Sequence, residues 1–142
     1  MALIEFKNLP NTDTPINADN LNNNFKEVNH EDIVTNGGAV KCGYKIDGKD
    51  VYCKIVYFDA PNATSLTISS GITSYDKIWI DESNSFIDGS YESMGINSYG
   101  TDGYARCWYN KTNNNIRFNT SWNLSTRKCY VCLKYTEANK EV

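Results

Sequence analysis

The chain changes its hydrophobic period once, and that change divides it. Between Asn17 and Val28 the apolar residues are Ala18, Leu21, Phe25 and Val28, in steps of three, four and three. Every other position from Asp19 to Glu27 is polar. The spacing predicts a short helix with one narrow apolar stripe of the coiled-coil kind. Asn17 is suited to cap it, and Asp19 favours the positive end of its dipole. Isolated helices shorter than about 12–15 residues are marginal in water, so the stripe needs a surface to pack on. That surface is either the chain's own domain or further copies of the chain. The setting favours copies. Pro10 and Pro15 make the preceding segment extended, and turn formers from Asn29 to Gly38, ending in the pair Gly37-Gly38, set the helix apart from the rest of the chain.

From Val40 the period is two. Lys41 to Ile46 reads as a strand, Asp47-Gly48 as a hairpin turn and Val51 to Phe58 as the return strand. On that strand Val51, Cys53, Ile55 and Tyr57 form an unbroken apolar face, expected to meet the core, while Lys54 interrupts the other face. Further strands are expected around Thr64 to Ile68 and Lys77 to Asp81, with Phe86 and Ile87 extending the latter and Trp79 in the core. Tyr104 to Tyr109, Ile116 with Phe118, and Lys128 to Tyr135 come next. In the last of these, Cys129, Val131, Leu133 and Tyr135 share the buried side. Tyr91 to Gly103 shows no period and reads as a long irregular loop, a kind that is usually functional or disordered. About eight short strands spaced by turns predict a mainly β protein, an antiparallel β-sandwich of jelly-roll type. The expected organisation is an extended arm (1–16), an oligomerisation helix (17–30), a linker (31–40), a β-sandwich head (41–136) and a polar tail (137–142).

Composition narrows the function by exclusion. A net charge of -3 gives no basic footprint for nucleic acid. No apolar run approaches the roughly 20 residues of a membrane span, and the first residues, Met1 to Lys7, lack the charged and apolar regions of a signal peptide. The expectation is a protein made in a cytoplasm, without membrane insertion. Its five cysteines, an odd number, point to reduced, mostly buried thiols rather than a disulfide framework. Cys129 and Cys132 stand three apart on a strand, which directs them to opposite faces and argues against a metal site. The single histidine, His30, lies in a polar loop, so no Ser/His/Asp or Cys/His set can be built without it. Asp81, Glu82, Asp88, Glu92 and Asp102 could serve glycoside cleavage, but acidic loop residues are usually solvated. No catalytic residue, metal or cofactor is expected.

Two stretches resemble a known family. Phe6-Lys7-Asn8-Leu9-Pro10 with Thr14-Pro15-Ile16-Asn17-Ala18-Asp19-Asn20-Leu21-Asn22 resembles the N-terminal attachment segment of short tail-fibre and receptor-binding proteins. These belong to phages of Gram-positive bacteria and to related phage-tail-like bacteriocins. Gly43, then Ile46-Asp47-Gly48-Lys49 and Val51-Tyr52 with Lys54, resembles the first hairpin of the β head in the same proteins, and Lys128 to Thr136 resembles their final strand. The departures are Lys45, Asp50 and Cys53 within that hairpin, where the family often carries Trp, Pro and Arg, and the stretch from Ser83 to Asn123, which matches nothing in it. The resemblance implies a virion location, a homotrimer joined through Ala18, Leu21, Phe25 and Val28, and docking of the N-terminal segment on a baseplate or tail protein. It also implies a head that recognises a polysaccharide of the bacterial surface.

Saccharide sites combine a flat aromatic face with a few placed polar groups. The residues that fit are Tyr91, Tyr99, Tyr104, Trp108 and Trp122, with Glu92, Asn97, Asp102, Arg106 and Asn123. Tyr99 and Trp122 lie among Asn, Ser and Gly and are expected to be the most exposed. The alternatives to a receptor-binding head are a purely structural baseplate component and a glycan-cleaving tail tip.

Overall fold

In the computed structural model, which describes residues 32–139, the alternation from Val40 onward becomes ten antiparallel strands in two sheets. The expected helix and its stripe lie outside the described residues. The strands are β1 (Val40–Ile46), β2 (Lys49–Asp59), β3 (Ser65–Ser69), β4 (Ile78–Ile80), β5 (Phe86–Asp88), β6 (Ser93–Gly95), β7 (Ser98–Gly100), β8 (Gly103–Asn110), β9 (Asn115–Thr120) and β10 (Lys128–Thr136). One sheet runs β1-β2-β10-β5-β6, with β4 also paired to β10, and the other runs β3-β9-β8-β7. Strands distant in sequence pair in β2–β10 and β3–β9. The inner strands pair as plain hairpins, β5–β6 and β7–β8–β9. Among the described residues no helix is long and apolar enough to cross a membrane.

The turn chemistry is as the sequence dictates. Asp47 and Gly48 both take positive φ (50° and 78°), the backbone of a two-residue type I′ hairpin. The core forms between the sheets. Ile87, Cys129, Val131 and Leu133 meet Ala105, Cys107, Ile116 and Phe118 from the facing sheet, and Phe58 sets its ring edge-on to Phe118 at 6.0 Å. Cys129 belongs to this core, whereas Cys132 is buried outside it, so the two thiols occupy opposite faces of β10. All five cysteines are free, and four are buried.

Several expectations are corrected. The face of β2 that enters the core carries Val56 and Phe58; Val51 and Cys53 are buried on the other side of the sheet. Lys54, on the inward face, is half-buried and carries its Nζ to exposed Gly71. A Cβ built on Gly71 (φ +70°) would stand 2.6 Å from its Nζ. Both faces of β2 are therefore apolar, and the outer one bears an aromatic row. Phe86 stacks on Tyr130 at 4.6 Å, and Tyr130 meets Tyr57 at 4.9 Å. Trp79 is half-buried and not in the core; Ile78 takes that place. Phe86 and Ile87 do not extend β4. A 3₁₀ turn at Glu82–Asn84 intervenes, and β4 and β5 pair with successive parts of β10. In the gap, the Cys132 N–H donates to Ser85 Oγ at 2.8 Å and the Asp81 N–H to the Cys132 carbonyl at 2.9 Å. The stretch Tyr91 to Gly103 is no irregular loop, since it contains β6 and β7. Part of the expected linker is also tied down. Where β1 has not yet begun, Asn36 continues the ladder along β2, donating to the Ile55 and Tyr57 carbonyls and accepting from the Tyr57 N–H at 2.9 Å.

Candidate functional site

Because Ala105 and Cys107 of β8 and Ile116 and Phe118 of β9 point into the core, the residues between them point out. Register then arranges the outer face of the four-stranded sheet in rows. Tyr99 lies opposite Tyr104; Arg106 lies opposite Asn119, which lies opposite Ser65; Trp108 lies opposite Arg117, which lies opposite Thr67; and Asn110 lies opposite Asn115, which lies opposite Ser69. Side chains directly opposite on one face have Cβ atoms about 4.5–5.5 Å apart, and successive rows are spaced about 7 Å. Tyr99 is 73% exposed and Trp108 44%. The Arg106 guanidinium lies over the Tyr104 ring, 4.5 Å from its centroid. Arg117 is half-buried beside Trp108, and its Nε is buried without a hydrogen-bond partner among the described residues. The face offers two exposed aromatic surfaces with guanidinium and carboxamide groups between them.

Of the residues expected to bind, Tyr99, Tyr104, Arg106 and Trp108 are brought together here. The others are elsewhere. Asp102 is exposed in the tight β7–β8 turn at the margin of the face. Trp122, expected to be exposed, is half-buried against the core and lies over that turn. A Cβ on Gly103 would stand 2.5 Å from its Nε1, and one on Gly100 3.3 Å from its Cζ2. Absent side chains at Gly100 and Gly103 make room for the indole, and the Trp122 backbone N–H donates to Thr120 Oγ1 at 3.0 Å. Asn123 turns its carbonyl back on its own loop, accepting from the Ser125 N–H and hydroxyl at 3.1 and 2.7 Å. Asn97 serves the backbone of β8. Its Oδ1 accepts the Cys107 N–H at 2.8 Å, and its Nδ2 donates to the Cys107 carbonyl and to Glu82 Oε1. Tyr91 is fully exposed on the β5–β6 turn. It overlooks a hollow of about 200 Å³ that is lined also by Glu92, Thr126 and Arg127, with Arg127 and Glu92 paired at 3.1 Å.

Arg117, Asn119 and Thr67 were not singled out from the sequence. The signal was present: Ile116 and Phe118 facing inward forces Arg117 outward, and a turn around Asn113-Asn114 sets it opposite Trp108.

Of the acidic residues considered for catalysis, Asp81 and Glu82 lie at the 3₁₀ turn, Asp88 in β5, Glu92 in the β5–β6 turn and Asp102 in the β7–β8 turn. Burial pushes the Asp81 carboxyl up, but hydrogen bonds from Lys134, Asn84 and Ser83 outweigh it and hold the group well below the ordinary carboxylate range. The Lys134 contact is 2.8 Å. Asp88 accepts from the Ser93 hydroxyl. Among the described residues no group of three or more His, Cys, Asp and Glu is arranged to hold a metal ion. Neither a family model, nor a characterised protein, nor a solved structure matches the chain.

Proposed function

We propose that this β domain is the receptor-binding head of a phage tail-fibre or baseplate-tip protein, and that the outer face of its four-stranded sheet takes up a carbohydrate of the bacterial surface. The observation that carries the reading is the juxtaposition on one sheet face of exposed Tyr99 and Trp108 with Arg106, Arg117 and Asn119. Aromatic rings cover the apolar faces of sugars, and planar donors and acceptors meet their hydroxyls. A regular sheet holds these groups more rigidly than loops would. In this reading three chains associate through Ala18, Leu21, Phe25 and Val28, the N-terminal segment docks on a tail or baseplate protein, and the head performs recognition without a chemical step.

The test is binding of the full chain to Gram-positive cells and to a panel of purified wall polysaccharides. Trp108→Ala and Tyr99→Ala are each expected to weaken binding about tenfold, the equivalent of about 1.4 kcal/mol, with melting temperature unchanged. A folded head that binds no cell and no wall polysaccharide, or variants that bind as well as the parent, would refute the reading.

A further inference from the structure

The strands of this sheet carry cationic side chains and no acidic ones. The chain carries 17 acidic residues against 14 Lys and Arg. Yet β3, β7, β8 and β9 contain two arginines and not one Asp or Glu. Among the described residues six cations elsewhere are paired, Lys41 with Asp50, Lys49 and Lys77 with Asp76, Arg127 with Glu92, Lys128 with Asp59, and Lys134 with Asp81, while Lys45, Lys54 and Lys111 are not. Among the described residues neither Arg106 nor Arg117 has an acidic partner, and Arg117 Nε has no partner of any kind. The register sets the two on neighbouring strands, one row apart on a diagonal, a separation of about 7–8 Å that long side chains bridge. Asp102, at the turn beyond Tyr99, is the nearest acidic residue in sequence to Arg106, and it lies past the aromatic row.

From this, and resting on the carbohydrate reading above, we infer that the glycan taken up here is anionic, with its acidic groups meeting Arg106 and Arg117 while Trp108 and Tyr99 cover its rings. Guanidinium presents a planar fork of donors that matches a carboxylate or a phosphodiester in two-point fashion, and it stays charged at any physiological pH. The stack on Tyr104 orients Arg106, which is exposed. A neutral sugar would leave both cations without a counter-charge at the centre of the contact. An acidic one supplies it, and Asn119, opposite Arg106 and on the same strand as Arg117, is placed for a hydroxyl.

The experiment compares matched polymers on the full chain by isothermal titration: polygalacturonate against its methyl-esterified form, and glycerol-phosphate teichoic acid against dextran, each at low and high salt. The expected result is tighter binding to either acidic polymer than to its neutral match, weakening as salt is raised. Arg117→Gln and Arg106→Gln should each lower affinity for the acidic polymer about tenfold without lowering the melting temperature, and Arg117→Lys should restore part of it. If neutral and acidic polymers bind alike, or the glutamine variants bind unchanged while Trp108→Ala still weakens binding, the charge inference fails and the carbohydrate reading survives. If a mixed-sequence oligonucleotide binds more tightly than any glycan, or the folded head binds none of the polymers, both fail.

Discussion

Asn97 has the composition of a ligand-binding residue and the geometry of a strand residue, and its replacement separates the two roles. Its carboxamide holds the Cys107 N–H at 2.8 Å and the Cys107 carbonyl at 3.3 Å, immediately before the short strand β7. Cys107 is only 6% exposed, so water cannot replace the lost acceptor. Leaving one buried donor unmade costs about 1–3 kcal/mol. For a domain of this size 1 kcal/mol is worth about 4–8 °C, so Asn97→Ala is expected to melt roughly 10 °C below the parent. Asn97→Asp sharpens the test. It keeps an acceptor for the Cys107 N–H but turns a carboxylate toward the Cys107 carbonyl and Glu82, which Nδ2 now bridges at 3.3 and 2.9 Å. This variant should be at least as unstable near neutrality. It should recover as the pH falls toward the carboxyl's own titration, because the new group has a raised native-state pKa and is tolerated only when protonated. Circular dichroism melts and amide exchange at Cys107 give the readout. Unchanged melting with abolished glycan binding would refute the assignment and return Asn97 to the ligand site.

Three further outcomes are expected. Asp81→Asn, which breaks a pair whose side chains are 12% (Asp81) and 17% (Lys134) exposed, should cost about 3 kcal/mol in denaturant titrations. Asp81's native-state pKa is depressed below 3.8, so its contribution is present above that value and lost as pH falls through the native-state value. The gap between parent and variant should stay level above about pH 5 and close in stronger acid; a gap that widens there would contradict the assignment. Gly103→Ala places a Cβ against Ser121 Oγ and 2.5 Å from Trp122 Nε1, so it should displace the indole and destabilise by about 1–3 kcal/mol. Unaltered tryptophan fluorescence and melting would argue against that packing. Burial and the neighbouring Cys53 push the Cys42 thiol up to about 11, so intact-mass analysis after iodoacetamide at mild alkaline pH should find slow labelling at Cys42 alone until the protein is denatured. Fast labelling at several thiols would contradict the described burial.

Alternation along the strands was readable because each side of the sandwich core accepts one face of a strand. Cys129, Val131 and Leu133 are fully or almost fully buried, as their spacing requires, and Ile116 and Phe118 likewise. The inward face of β2 was not readable, since Val51 and Cys53 on one side and Val56 and Phe58 on the other are equally apolar. Only the placement of the facing sheet decides between them. Strands of three residues, such as β6 and β7, are too short to show a period at all. At the site, Arg106 and Trp108 could be grouped from sequence because residue type and alternation agree along β8, whereas Tyr99 stands out only by its Asn, Ser and Gly neighbours. Trp122 could not, because its polar neighbours suggest exposure while the vacancy over two glycines, which pattern alone cannot show, receives the ring.

β10 lies between β2 on one side and β4 with β5 on the other, yet it comes after all of them in the chain. While a ribosome is still translating, the earlier strands of that sheet emerge with no shared neighbour to close upon, their hydrogen-bonding edges open to any other nascent copy. A messenger cut short before Lys128 would therefore yield sticky, unfinished heads rather than slightly weakened ones.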